Sequence, residues 1–174
     1  MRYCAVCDGY EASGQAIGII GGDARGVAEA LFLRTYSDDI TIFATDAIKI
    51  DADDRVLLGR LGIKIEDHSL EQLDFSAEQV TAHLEGGSKL RFDTVYPALG
   101  SDANDMLAQA LDLKMGDGCC ISVDQKQRTS RDGIYAAGDI VHALDQISVA
   151  MGHAAIAATT LHNDLREKDG LAKS

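Results

Sequence analysis

The stretch GQAIGIIGGDARG, residues 14–26, runs from an apolar segment into a glycine-rich turn. A short apolar run closed by glycines suits a buried parallel strand feeding a tight turn. Behind it, residues 24–36 (ARGVAEALFLRTY) hold good helix formers, with Val27, Ala30, Leu31 and Leu33 as the apolar positions. Residues 39–43 (DITIF) then return to strand chemistry. Strand, helix and strand within about 30 residues make a βαβ unit of dinucleotide-binding size. The expected class is therefore α/β, built on a Rossmann-like FAD/NAD(P)-binding unit.

Working outward, residues 53–61 predict a helix stopped by Gly62, and residues 63–65 (IKI) a third strand. From Leu70 the pattern changes to strands with no helices between them. Residues 79–85 alternate, with Val80, Ala82 and Leu84 on one face, and Gly86-Gly87 is a hairpin turn into residues 88–92. Residues 94–96 read as a further strand, ended by the chain's single proline, Pro97. This antiparallel stretch is an insertion in the α/β frame. The last part predicts a helix over 103–111, strands near Ile121 and Ile134, and a small-residue helix over 146–165. Neither an internal repeat nor a low-complexity linker breaks the chain.

Composition narrows the class. The 174 residues are 46% apolar and 25% charged, enough for a core and ordinary for a water-soluble protein. Sixteen basic against 28 acidic residues leave a net charge of −12, which repels nucleic acid and anionic membrane surfaces alike. No apolar run approaches membrane-spanning length, and no charged-then-apolar leader opens the chain. The expected setting is the cytoplasm.

The glycine-rich turn carries a mixed message. A dinucleotide fingerprint places glycine first, third and sixth, the third letting the backbone approach the pyrophosphate. Gly21 and Gly26 hold the outer places beside Gly22, but the third is Asp23. A carboxylate about 4 Å from a phosphate charge costs about 4 kcal/mol at an effective dielectric near 20. As a helix cap Asp23 is well chosen, and Arg25 offsets part of its charge. About 20 residues beyond Gly26 stands Asp46, where an acid would bind the ribose hydroxyls of NAD. A surface-loop aspartate fits that position equally. The segment 43–49 (FATDAIK) holds no arginine to accept the 2′-phosphate of NADP.

Four cysteines fall in two pairs, Cys4/Cys7 and Cys119/Cys120. Zinc needs four well-placed ligands, and His142, His153 and His162 are not spaced to supply them, so no metal site is expected. Two thiols separated by two residues read instead as a redox pair, one attacking a partner disulfide and the other resolving the mixed disulfide. Asp8, directly after Cys7, is placed to move a proton during exchange. The plain alternative is two reduced cysteines near a chain end. Cys119-Cys120 reads as a strand entry, with a vicinal disulfide as the other possibility.

Residues 129–139 (TSRDGIYAAGD) read as a turn feeding a buried strand that ends in Gly138-Asp139. An aspartate at a strand's carboxyl end suits a ligand hydroxyl. Beyond it, after Gln146 and Ile147, residues Ala150, Gly152, Ala154 and Ala155 leave little side chain at the start of a helix. That opening admits either a planar ligand or a close helix–sheet contact.

In this order CAVCDGY, GGDARG and GIYAAGDIVHALDQISVAMGHAA, spread over essentially all 174 residues, resemble the low-molecular-weight thioredoxin reductases. Those are FAD- and NAD(P)H-dependent disulfide oxidoreductases. The resemblance implies electron flow from nicotinamide through flavin to the cysteine pair, then to a thioredoxin-like or other partner disulfide. It implies that Cys7 faces the flavin, Cys4 exchanges with the partner and Asp8 is the acid–base residue. Gly138 and Asp139 would hold the ribityl or pyrophosphate part of FAD, with Gln146 and Ile147 behind the isoalloxazine. It further implies residues 1–99 as the pyridine-nucleotide-type domain and residues 100–174 as the terminal segment of an FAD domain. The family's first FAD-binding βαβ unit, with its own glycine turn, has no counterpart in these 174 residues. With Asp23 added, the expectation is weak FAD and weak or absent NAD(P)H binding, NAD ahead of NADP, by a chain that is not self-sufficient. The alternatives are a reductase fed by a protein donor such as ferredoxin, and a non-catalytic module. In each case the uncovered C-terminal segment predicts a homodimer.

Overall fold

The computed structural model describes residues 1–116 and 120–171. They form two compact units, Met1–Gly100 and Ser101–Ser174. The vicinal pairing of Cys119 with Cys120 lies outside the described residues.

The first unit opens with a four-residue helix, α1 (Ala5–Asp8), and a 3₁₀ turn, Gly9–Ala12. Then follow β1 (Ile17–Ile20), α2 (Ala24–Leu33), β2 (Ile40–Phe43), α3 (Ala52–Arg60) and β3 (Lys64–Ile65). Three antiparallel strands come next, β4 (Leu70–Asp74), β5 (Val80–Leu84) and β6 (Lys89–Phe92), and β7 (Thr94–Pro97) returns to the first sheet. The parallel sheet has the order β3-β2-β1-β7, and the antiparallel one β4-β5-β6. All four residues of β1 and of β2 are buried, as befits strands covered on both faces. One face packs Ile17, Ile19, Ile40, Ile42 and Tyr96 against Val27, Ala30 and Leu33 of α2 and Leu58 of α3. A second cluster joins Ile20, Phe43 and Val95 to Val80, Ala82, Leu84 and Phe92 of the insertion. Phe43 and Phe92 stack there with centroids 5.3 Å apart.

The second unit contains α4 (Met106–Ala110), α5 (Ile147–Lys168) and a small core of Ala108, Leu113, Ile121, Ala136 and Val141. The strands expected near Ile121 and Ile134 do not form. Ile121 makes single bridges to Met115 and Val141, and Tyr135 one to Arg128. A strand persists only when a neighbour offers several residues of ladder, and among the described residues of this unit none does. Gly138 adopts a positive φ of 83° and Asp139 lies in a turn, so the expected strand end is a reversal instead. Elsewhere the corrections concern ends. The helix expected over 24–36 stops at Leu33, where Tyr36 N–H bonds to Leu33 C=O at 2.8 Å and tightens the last turn. The helix expected over 103–111 shortens to α4, whereas α5 runs on to Lys168.

Candidate functional site

Cys4 and Cys7 are joined in a disulfide whose Cα atoms lie 5.3 Å apart. Cys4 is the N-cap of α1, and its Sγ accepts a hydrogen bond from the Cys7 N–H at 3.2 Å. Cys7 is exposed and Cys4 half-buried. The motif's glycine has a packing reason: a Cβ on Gly9 would stand 3.0 Å from the Tyr36 ring and 3.3 Å from Leu33. Gly9 therefore lets the cysteine helix lie against the end of α2. Tyr3 and Tyr10, 73% and 79% exposed, flank the disulfide in the chain.

Asp8 is held from far along the chain. Tyr96 Oη donates to Asp8 Oδ1 at 2.8 Å, and Arg2 Nη1 stands 3.2 Å from Oδ2. Arg2 also bonds Glu11 at 2.7 Å. Burial first, and Asp8 second, push the Tyr96 phenol well above its ordinary range, so it stays protonated and donating. Sequence reasoning missed both partners. Tyr96 read as a strand residue, and 88 positions separate it from Asp8.

The glycine-rich turn builds a second locus. Gly21, Gly22, Asp23, Arg25, Thr45, Asp46 and Lys49 line a cavity of about 170 Å³. Gly26 packs beneath it: a Cβ there would stand 2.0 Å from Gly21 O, so no other residue fits this helix–strand approach. Asp23 is the N-cap of α2, its Oδ1 accepting from Arg25 N–H at 3.0 Å. Its Oδ2 takes Arg25 Nε at 3.1 Å and Nη2 at 2.9 Å. Arg25 holds the Asp23 carboxyl below the usual carboxylate range. Arg25 Nη1 continues to the Leu99 carbonyl at 3.1 Å. A helix N-terminus with open N–H groups receives a pyrophosphate. Here that anion position is filled by the chain's own carboxylate, and a dinucleotide pyrophosphate does not fit it as arranged. Asp46 comes to the same cavity, 3.3 Å from Thr45 Oγ1. Lys49, which also lines it, was passed over in sequence.

In the second unit Gly138 abuts the first turn of α5, 3.6 Å separating its would-be Cβ from Ala150. Asp139 is exposed. Gln146 is the N-cap of α5 without a side-chain cap bond, and Ile147 beside it is 82% exposed. The four residues that the resemblance assigns to FAD thus lie at this reversal and at the start of α5. Nearby in sequence, Arg128 grips Asp164 with two bonds of 2.7 and 2.5 Å, and Tyr135 Oη donates to Asp164 at 2.7 Å. These donors, Arg128 foremost, press the Asp164 carboxyl far below its ordinary value. Nothing in the sequence pattern signals this pairing. Among the described residues no three His, Cys, Asp or Glu side chains are grouped to hold a metal, and no helix is long and apolar enough to cross a membrane.

A Rossmann-type unit preceded by a Cys-x-x-Cys disulfide defines the class as a dithiol-bearing nucleotide-fold protein. The family model "Pyridine nucleotide-disulphide oxidoreductase" matches residues 1–154. The chain belongs to that family of oxidoreductases, on its thioredoxin reductase-like side. It is similar to the thioredoxin reductase of Mycoplasma genitalium, 21% identical over 174 residues, covering 95% of this chain and 55% of that protein. It is also similar to a glucosaminate ammonia-lyase of Pseudomonas fluorescens, 28% identical, covering 89% of this chain and 53% of that one. Among solved structures HlmI superposes with a TM-score of 0.87 at 27% identity, covering 96% of this chain and 52% of HlmI. The chain thus spans about half the length of the curated relatives it matches. Two such different names on one fold mean that substrate must be argued from the site.

Proposed function

We propose that this chain is the nucleotide domain and terminal flavin segment of a thioredoxin reductase-like oxidoreductase, passing electrons to Cys4–Cys7 and on to a partner disulfide. The observation that carries the reading is the Cys4–Cys7 disulfide on an exposed helix, with Asp8 held beside it by Arg2 and Tyr96. In this reading residues 1–99 present the dithiol, and residues 100–174 contribute Gly138, Asp139, Gln146 and Ile147 to FAD. FAD, when bound, supplies the electron pair that opens the disulfide. The Cys4 thiolate then attacks a thioredoxin-like disulfide, Cys7 resolves the mixed disulfide, and the partner leaves as a dithiol. Asp8 moves the proton that the Cys pair gains or loses. Such a pair turns over in a reducing compartment, which favours the cytoplasm.

Gly21, Gly22, Gly26 and Asp46 shape the nucleotide cavity. The Asp23–Arg25 pair across its anion position supports weak or absent NAD(P)H, with NAD ahead of NADP because Asp46 lines the cavity. The same pair favours a second reading, in which electrons arrive from a protein donor such as ferredoxin. The exposed apolar residues Ile147, Met151, Leu161 and Leu165 of α5 support a homodimer, and sedimentation tests it. A non-catalytic dimerising module would keep its behaviour after both thiols are alkylated.

The test of the main reading is single-turnover exchange. The chain is reduced with dithiothreitol, desalted and mixed with oxidised thioredoxin, with and without FAD. The reading expects two electrons delivered per chain and, when NADPH alone is the reductant, little turnover. A reduced chain that leaves thioredoxin oxidised overturns the redox role, and brisk NADPH-driven turnover by the pure chain overturns its dependence on other parts.

A further inference from the structure

We infer that Tyr96 is a positioning residue for the redox pair, fixing the Asp8 carboxylate together with Arg2. The inference rests on the reading of Cys4, Cys7 and Asp8 given above.

Three observations carry it. First, Tyr96 sits on β7 with no solvent exposure, and its hydroxyl donates the 2.8 Å bond to Asp8. A buried phenol that lacks a partner is costly, and phenylalanine would fill the same space, so the hydroxyl answers to Asp8. Second, the remaining Asp8 oxygen is engaged by Arg2, which is itself tied to the sheet by a 2.9 Å bond from Arg2 N–H to Val95 C=O. One strand thus supplies the phenol and anchors the guanidinium. Third, each Asp8 oxygen has its own charge-assisted donor, which stops the carboxylate from turning freely. Glu29 of α2 is a further carboxylate near this helix, its charged form favoured by the Ala5 backbone N–H. The charged and titratable groups around the Cys pair are therefore Arg2, Asp8, Glu11, Glu29 and Tyr96, with Tyr3 and Tyr10 flanking it in the chain and Tyr36 against Gly9. Among them Tyr96 acts on the cysteines through Asp8.

The step it serves is balanced as follows. The Cys4 thiolate attacks oxidised glutathione, forming a mixed disulfide and expelling one glutathione thiolate. Cys7 then attacks the Cys4 sulfur, expels the second, and closes the Cys4–Cys7 bond. Two electrons pass to glutathione, and the two thiol protons end on the two glutathione molecules. A fixed carboxylate beside the pair takes or returns a proton without first having to be oriented.

The experiment is a double-mutant cycle on the reduced chain with oxidised glutathione, comparing wild type, Tyr96→Phe, Asp8→Asn and the double variant across pH. Tyr96→Phe should slow exchange about tenfold and displace its pH profile, while added to Asp8→Asn it should change neither rate nor profile by more than about twofold. Equal slowing in both backgrounds, or an unchanged rate and profile for Tyr96→Phe, would overturn the inference. Should Tyr96→Phe not fold, Arg2→Gln, acting on the same carboxylate from a half-exposed position, runs the same cycle with the same expected non-additivity. A wild-type chain that does not exchange removes the underlying reading as well. A wild type that exchanges but gives an additive cycle removes only the role of Tyr96.

Discussion

Two aspartates in the first unit each stand beside a candidate motif, Asp8 at the end of α1 and Asp23 at the start of α2, and they are held in opposite ways. Asp8 is gripped by Arg2 and Tyr96, groups from the chain's beginning and from the distant strand β7. Asp23 is gripped by Arg25, two residues away. The distant grip holds both oxygens of a carboxylate next in the chain to Cys7, which stays exposed. The local grip closes a turn on itself, and the carboxylate stands where a phosphate would go. In this unit the carboxylate beside the disulfide is held by distant residues, and the one at the glycine-rich turn by its near neighbour.

The largest effect that tests this contrast is at the cysteines. Cys4→Ser should abolish exchange with oxidised glutathione, since no second thiol remains to complete the two-step transfer; a variant that keeps more than a tenth of the rate would place the chemistry elsewhere. Next is the closed turn. Asp23→Gly should raise NADH affinity about ten- to a hundredfold by titration calorimetry, because removing a carboxylate near the phosphates relieves a repulsion that solvent partly screens. Unchanged affinity would mean that Asp23 does not block the site. Gly26→Ala probes the frame under that turn. Its Cβ would meet backbone oxygen at 2.0 Å, so a loss of about 3 kcal/mol in denaturant unfolding is expected, and a loss below about 1 kcal/mol would contradict the close approach.

The smallest effect is electrostatic. Burial raises the Glu29 carboxyl above its ordinary value. The unfolded chain ionises at the ordinary value, so this group lowers stability as pH climbs through the interval between the two. Glu29→Gln should therefore melt ~1–2 °C higher at neutral pH, with the difference vanishing at pH values below the ordinary carboxylate range. A gain that persists in acid would assign the effect to packing instead.

Much of the frame was legible because it rests on local signals. GIIGGDARG announces its own strand, turn and helix, and Asp23 its own cap, since apolar periodicity and capping act over a few residues. The alternation of Val80, Ala82 and Leu84 likewise predicts the inward face that β5 shows. What escaped depends on distance. Arg2 and Tyr96 gain their roles only when β7 lands beside β1, and neither carries a local pattern that says so. Ile121 and Ile134 failed in the reverse direction. Their residues favour strands, but strand formation is a property of a pair, and the described residues of the second unit offer only single bridges. The Arg128–Asp164–Tyr135 grouping, spanning up to 36 positions, was invisible for the same reason.

The central claim is that Cys4 and Cys7 are a reversible redox couple in the folded chain. It is tested most directly by equilibrating the native protein across a series of dithiothreitol ratios and counting alkylated thiols at these two positions by mass spectrometry. The account predicts one reversible two-electron transition in which both thiols appear together while the far-ultraviolet circular dichroism stays native. A disulfide that opens only once the chain unfolds would contradict it.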